Sequence, residues 1–141
     1  MCLVSDTDIP KIAQEDIVCY KVLIKVSNIK ALFGKGYATP WYETKVKPKG
    51  LFKAKGGKSI LKNYFNPGTY DVGRGFIHTY TGLDGSRIPK NLIEGYRIFE
   101  CIIPKGTEYF VSTDGEEYAS DCIIFKRKMK CRKIKYRKII R

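Results

Sequence analysis

Apolar and polar positions alternate at period two over Ile17–Val26. Val18, Tyr20, Val22, Ile24 and Val26 share one face; Ile17, Cys19, Lys21, Leu23 and Lys25 share the other. That alternation is the pattern of a half-buried strand. Arg97–Ile103 repeats it, with Phe99, Cys101 and Ile103 together and Glu100 opposed. After Pro104-Lys105-Gly106 comes a return strand, Thr107–Ser112. Asp114-Gly115 is a hairpin signal, and a third strand starts at Tyr118 and runs toward Arg132. Strands at 97–103, 107–112 and 118–125 therefore predict an antiparallel meander.

The first half is more broken. Tyr37–Val46, after Gly34-Lys35-Gly36, reads as extended, and Gly75–Thr81 as a short strand. Asn66-Pro67-Gly68 punctuates the turn-rich stretch between them. Ser27–Phe33 fits a short helix or an irregular turn. Pro89–Glu94 fits one helical turn, with Pro early and Gly95 after its end. Residues 1–16, with four acidic groups against Lys11, read as a loose N-terminal arm. The expected fold is α+β and mostly β: one compact domain over 17–125 with a C-terminal meander and one or two short helices. A basic strand or tail follows over 126–141.

Composition supports this class. At 141 residues with 43% hydrophobic content, the chain is long enough for a core of its own. Ten Tyr, seven Phe and many Ile and Val favour strands. The five cysteines, Cys2, Cys19, Cys101, Cys122 and Cys131, form no CxxC pair. Three of them lie in apolar runs, so they are expected to be reduced thiols in a core. No apolar run approaches the length of a membrane span, which predicts a cytoplasmic protein, in the host cytoplasm if the source is viral.

Charge changes the picture most. The net charge is +13, and residues 126–141 hold ten Lys or Arg with no Asp or Glu. Lys126, Arg127, Lys128, Lys130, Arg132, Lys133, Lys135, Arg137 and Lys138 are the candidate polyanion-binding residues. They would neutralise phosphates by counterion release, while Tyr136 and Trp41 or Tyr42 could stack on bases. The apolar positions in this run change parity, from Ile123, Phe125, Met129 and Cys131 to Ile134, Tyr136 and Ile140. A β-bulge would produce such a change. Lys126, Lys128, Lys130 and Arg132 are then expected on one solvent face. The tail lacks the bulky apolar face of an interfacial helix, so no membrane partner is expected.

Other motifs point away from catalysis. Lys55-Gly56-Gly57-Lys58-Ser59 resembles the end of a phosphate loop, but Phe52 stands where that loop needs glycine. His78 is the only histidine, which excludes two-histidine chemistry and zinc sites built from paired histidines. Glu116 and Glu117 follow the Asp114-Gly115 turn, where charge is ordinary. No catalytic residue, metal or cofactor is expected.

Two stretches carry a resemblance. Gly75-Phe76-Ile77-His78-Thr79-Tyr80 is followed by Phe99 to Tyr109, which contains Ile103-Pro104-Lys105-Gly106-Thr107, and then by Glu117-Tyr118-Ala119-Ser120. This order resembles small domains of gut bacteria and their phages with a GFH…IPKGTxYY…EYAS pattern, over roughly residues 17–127. Ile77 departs from their Gly-Phe-His. More distantly, the order is similar to the late half of ADP-ribosyltransferase domains, where a strand ends in a PKG turn and a later strand carries a catalytic glutamate. The resemblance implies that Cys19-Tyr20-Lys21 sits where that family holds its NAD-binding residue, with Glu116 or Glu117 near the catalytic position and His78 in the same cleft. The family's Ser-Thr-Ser strand has no match here.

The leading expectation is a non-enzymatic module binding a polyanion, nucleic acid above all. The alternatives are an NAD-binding domain of ADP-ribosyltransferase type around Tyr20, His78, Glu116 and Glu117, active or degenerate, or a structural protein of a virus. The oligomeric state is open.

Overall fold

The computed structural model describes residues 3–26, 36–39, 45–73, 75–83 and 96–129. These form two antiparallel sheets, and no helix occurs among them. The two helical candidates, 27–33 and 89–94, lie outside the described residues, so the protein is described here as mostly β.

Thirteen strands follow one another among the described residues. The first half supplies β1 (Leu3–Ser5), β2 (Lys11–Ile12), β3 (Ile17–Val26), β4 (Gly36–Ala38), β5 (Lys45–Val46) and β6 (Gly50–Lys53). Then come β7 (Ile60–Lys62), β8 (Tyr70–Val72), β9 (Ile77–Tyr80) and β10 (Tyr96–Ile103). The last are β11 (Glu108–Val111), β12 (Glu117–Ser120) and β13 (Cys122–Lys128). The large sheet runs β2-β11-β12-β9-β3-β10-β13-β6, with β4 and β5 attached beside β3, and the small one runs β1-β8-β7.

The three segments of the expected meander are strands, but their neighbours differ from that expectation. β11 and β12 pair as the Asp114-Gly115 hairpin. β10 does not pair with β11; it pairs with β3 and β13. The run from Tyr118 onward is two strands, broken at Asp121. Alternation reports which face a side chain takes, not which strand lies beside it.

That break shapes the sheet. β9, β3 and β10 lie between β12 and β13, yet Asp121 alone joins those two strands. Laid flat, four strand spacings would separate them by about 19 Å, while two Cα steps span at most about 7 Å. The sheet therefore curls, and its inner face closes around Cys19, Leu23, Ile77, Phe99, Cys101, Ile103, Ile123 and Phe125. Phe99 packs edge-on against both Tyr37 and Phe125, with ring centroids 5.2 and 5.6 Å apart. The thiols of Cys19, Cys101 and Cys122 are free.

The other face is covered in part by the small sheet. Leu3 and Val72 bury themselves against Phe110 and Ala119. Residues 3–16, read as a loose arm, thus supply a strand whose Leu3 is buried. They also supply β2, and the segment is pinned to the Pro104–Thr107 turn. Ala13 N–H donates to Thr107 C=O, Gly106 N–H donates to Ala13 C=O, and Lys105 N–H donates to Asp16 Oδ1. Gly75 lets the chain cross close to 57–58: its φ is +81°, and a Cβ there would stand 2.6 Å from Lys58 N.

Candidate functional site

Five consecutive neighbours in the large sheet place side chains in one row. Tyr20 on β3 lies opposite Tyr80 on β9, and Tyr80 lies opposite Glu117 on β12. On the other side, Tyr20 lies opposite Glu100 on β10, and Glu100 opposite Arg127 on β13. Directly opposed residues share a face. The row therefore reads Arg127, Glu100, Tyr20, Tyr80, Glu117 across the face that the inner core leaves open. Val22 and Ile98, one pleat further on, are buried, and Tyr20, Tyr80, Leu83, Tyr96 and Met129 pack against them.

Each end of the row is held. Arg127 Nε donates to Glu100 Oε1 at 3.1 Å. At the other end, Glu117 is buried at 5% exposure. Its N–H donates to Ser112 Oγ at 3.0 Å, and its carbonyl accepts from Ser112 N–H at 2.9 Å. Ser112 Oγ in turn donates to Asp114 Oδ1, which also accepts from Glu116 N–H. The hairpin turn thereby fixes where β12 begins and which of the two glutamates enters the row. Glu117 does; Glu116 stays in the turn before the strand.

His78 shares the face of Tyr80, two residues earlier, opposite Ala119. Its Nε2 lies 3.0 Å from Gly73 C=O. A carbonyl only accepts, so Nε2 carries the hydrogen. Burial pushes the imidazole pKa down to about 4, and Lys21 adds to the shift. His78 is thus a neutral brace between β9 and Gly73, not a proton donor near neutral pH.

Lysine in an alternating strand is ordinarily in water, and Lys21 was named for a site only as part of Cys19-Tyr20-Lys21. It projects instead into the inner face beside Cys19 and Cys101, and its Nζ donates to His78 C=O at 2.8 Å. Burial lowers its pKa to about 8 and raises that of Cys19 to about 11. Burial likewise raises the Cys101 thiol. Both thiols are therefore protonated and unreactive at neutral pH.

Of the basic run, Lys126, Arg127 and Lys128 are described, all exposed. Lys130, Arg132, Lys133, Lys135, Arg137 and Lys138 lie outside the described residues, as do Trp41, Tyr42 and Tyr136. The bulge comes earlier than the parity change suggested. Glu100 opposes Arg127 while Cys101 opposes Phe125, so Lys126 is the extra residue. Beyond it the faces exchange: Met129 joins Val22 and Ile98 rather than Phe125. Lys126 and Lys128 therefore do not continue one solvent face in simple alternation.

Tyr80 was also missed. Its signal was available: in Ile77-His78-Thr79-Tyr80 it stands two residues from His78, on the same side of a strand. Two phenol rings offer flat surfaces to an aromatic ligand, and a carboxylate beside them can stabilise positive charge. Among the described residues, no group of three or more His, Cys, Asp or Glu could hold a metal ion. No helix among them is long and apolar enough to cross a membrane. No protein-family model, curated protein or solved structure matches the chain.

Proposed function

We propose that the row across β3, β9 and β12 is an NAD-binding site of ADP-ribosyltransferase type. The observation that carries this is the register Tyr20–Tyr80–Glu117. Residues 60 and 97 positions away from Tyr20 reach one face of three adjacent strands. Tyr20 belongs to the segment that the resemblance assigned to NAD binding, and Glu117 is one of the two glutamates it assigned to catalysis. This reading ranks above the polyanion module because two of its four residues, Tyr20 and Glu117, reach one row, and His78 lies on the same face.

The chemistry follows from charge. When the bond between nicotinamide and the ribose C1′ breaks, its electron pair leaves with nicotinamide and positive charge develops on the sugar. The Glu117 carboxylate would stabilise that charge, as carboxylates do in glycosyl transfer. Water or an acceptor then bonds to C1′ and gives up its proton to solvent, so that nicotinamide leaves neutral. Tyr20 and Tyr80 would hold the nicotinamide ring by stacking.

Calorimetric titration with NAD and an assay for released nicotinamide test the proposal. Glu117→Gln should keep NAD binding within about threefold and lower release by about 10²-fold or more. Tyr80→Ala should weaken binding itself by about two- to tenfold. NAD binding without release by the intact protein identifies a degenerate site. No NAD binding at millimolar concentration overturns the proposal.

The polyanion module remains a second reading, carried by the exposed Lys126 and Lys128 that begin the basic run. The logarithm of its affinity for duplex DNA should fall with log salt by about 0.9 per neutralised phosphate. Lys126→Glu with Lys128→Glu should flatten that slope; an unchanged slope removes 126–128 from the reading.

A further inference from the structure

The 63–69 loop between β7 and β8 turns two aromatic rings into solvent. Phe65 is 101% exposed and Tyr64 89%. The loop is tightly built. Asn63 Oδ1 accepts from the N–H groups of Phe65 and Asn66 at 3.0 and 3.1 Å. Thr69 Oγ1 donates to Asn66 C=O at 2.7 Å, and Asn63 N–H donates to Thr69 C=O at 3.0 Å. Asn63 Nδ2 anchors the base of the loop on Asp71. Gly68 closes the turn at φ +87°. Burial would be the ordinary fate of two adjacent large rings; here a hydrogen-bonded frame displays them.

The chain leading to these rings is basic. Residues 47–70 contain six lysines, Lys47, Lys49, Lys53, Lys55, Lys58 and Lys62, and no Asp or Glu. All six are exposed; Lys58 is ion-paired with Asp121, and the other five supply the positive charge of the edge. β6 ends the large sheet and β7 ends the small one, so the lysines follow two sheet edges and the 54–59 connection between them. Lysine on an edge strand guards against strand addition, but that role gives no use for exposed rings at the end of the track.

We propose that this edge binds single-stranded nucleic acid, with the lysines along the phosphates and Tyr64 and Phe65 stacking on two bases. Aromatic platforms beside a basic track are the general means of holding single strands. A membrane-docking tip would gather its cations around the rings, to meet headgroups in one plane. Here Lys62 alone adjoins them, and Asn63, Asn66 and Pro67 surround them. The site is separate from the NAD row and uses none of its residues. It shares a ligand class with the basic run after Phe125, from which the variants below distinguish it.

Fluorescence anisotropy of the full chain tests this, with labelled 12-nucleotide oligo(U) and oligo(dT) and a duplex of the same length as probes. Tyr64→Ala with Phe65→Ala removes no buried contact. It should weaken single-strand binding by about 30-fold or more, the conversion of ~1 kcal/mol per stacked base for two bases, and leave duplex binding unchanged. Lys53→Glu with Lys62→Glu should weaken both and flatten the salt dependence, whereas Lys126→Glu with Lys128→Glu should leave the effect of the ring substitutions intact. Single-strand binding that survives loss of both rings overturns the proposal, as does no binding by the intact protein at low salt. Binding to phosphatidylserine vesicles that requires the rings, with oligonucleotide binding indifferent to them, overturns it in favour of a membrane surface.

Discussion

The two faces of the large sheet are built from the same strands and have opposite characters. On the inner face, Cys19, Leu23, Phe99, Cys101 and Ile103 lie at 4% exposure or less, and the one ionisable amine among them, Lys21, is pushed toward neutrality. On the other, Arg127 donates to Glu100 at the edge of water, and half-buried Tyr20 and Tyr80 lead to Glu117. Alternate residues of β3 and β10 thus serve the inner core on one side and, on the other, a polar row beside the buried pair Val22 and Ile98. Period-two alternation separates two chemistries here, not inside from outside.

The largest expected effect tests that contrast directly. Phe99→Ala opens a cavity between Tyr37 and Phe125 and should cost about 3–5 kcal/mol in denaturant unfolding, whereas Tyr20→Ala, half-buried on the other face, should cost clearly less. Equal losses would mean that the open face is as much a core as the inner one.

Next is an acid limb from His78. Its pKa is about 4 folded against 6.5 for the ordinary imidazole. Between those values the unfolded chain binds more protons, so stability rises with pH. The contribution is present above pH 6.5 and falls by about 3 kcal/mol as pH drops through 4. Denaturation of wild type and His78→Gln from pH 7 to 4 should show the variant with the flatter limb. Parallel curves would remove the buried, neutral assignment.

Lys21→Met sharpens the inner side of the comparison. Burying an amine whose pKa falls from 10.5 to about 8 opposes folding at neutral pH, and that opposition eases as pH rises from 8 to 10.5. The variant should be more stable by about 1–3 kcal/mol at pH 7, and its advantage should shrink above pH 8. A less stable variant would show that the hydrogen bond to His78 C=O outweighs desolvation.

The smallest effect belongs to the row's exposed end. Glu100→Gln, at the ion pair with Arg127, should change stability by about 1 kcal/mol or less, and salt should erase part of it. A larger loss would make Arg127 a structural member of the row rather than a rim charge.

Much of the local structure was legible in the sequence. Alternation located β3 and β10 closely, and Asp114-Gly115 located the β11–β12 hairpin. Strand neighbours were not legible: nothing in Pro104-Lys105-Gly106 distinguishes a hairpin from a departure to another part of the sheet, and nothing at Asp121 marks a change of partners. The burial of Lys21 was not legible, because it depends on Cys101 and the His78 carbonyl, which other strands supply. The candidate row was half legible. Tyr20, His78 and Glu117 were named, but their convergence and the membership of Tyr80 depend on β9 entering between β3 and β12. Tyr64 and Phe65 gave no signal, since apolar residues beside a turn are ordinarily read as packed.

The pairing of β3 with β10 has a consequence in time. Ile24 faces Tyr96 and Ile17 faces Ile103, 72 to 86 residues later. At about 5–20 residues per second, a ribosome leaves β3 without this partner for roughly 4–17 seconds. Throughout that interval Cys19 and Leu23 have no inner face to enter, and the strand's unpaired edge is open to other chains. So late a long-range pairing also places the fold among slow-forming topologies. Yield during expression should therefore respond more to synthesis temperature and holding chaperones than the finished protein's stability would suggest.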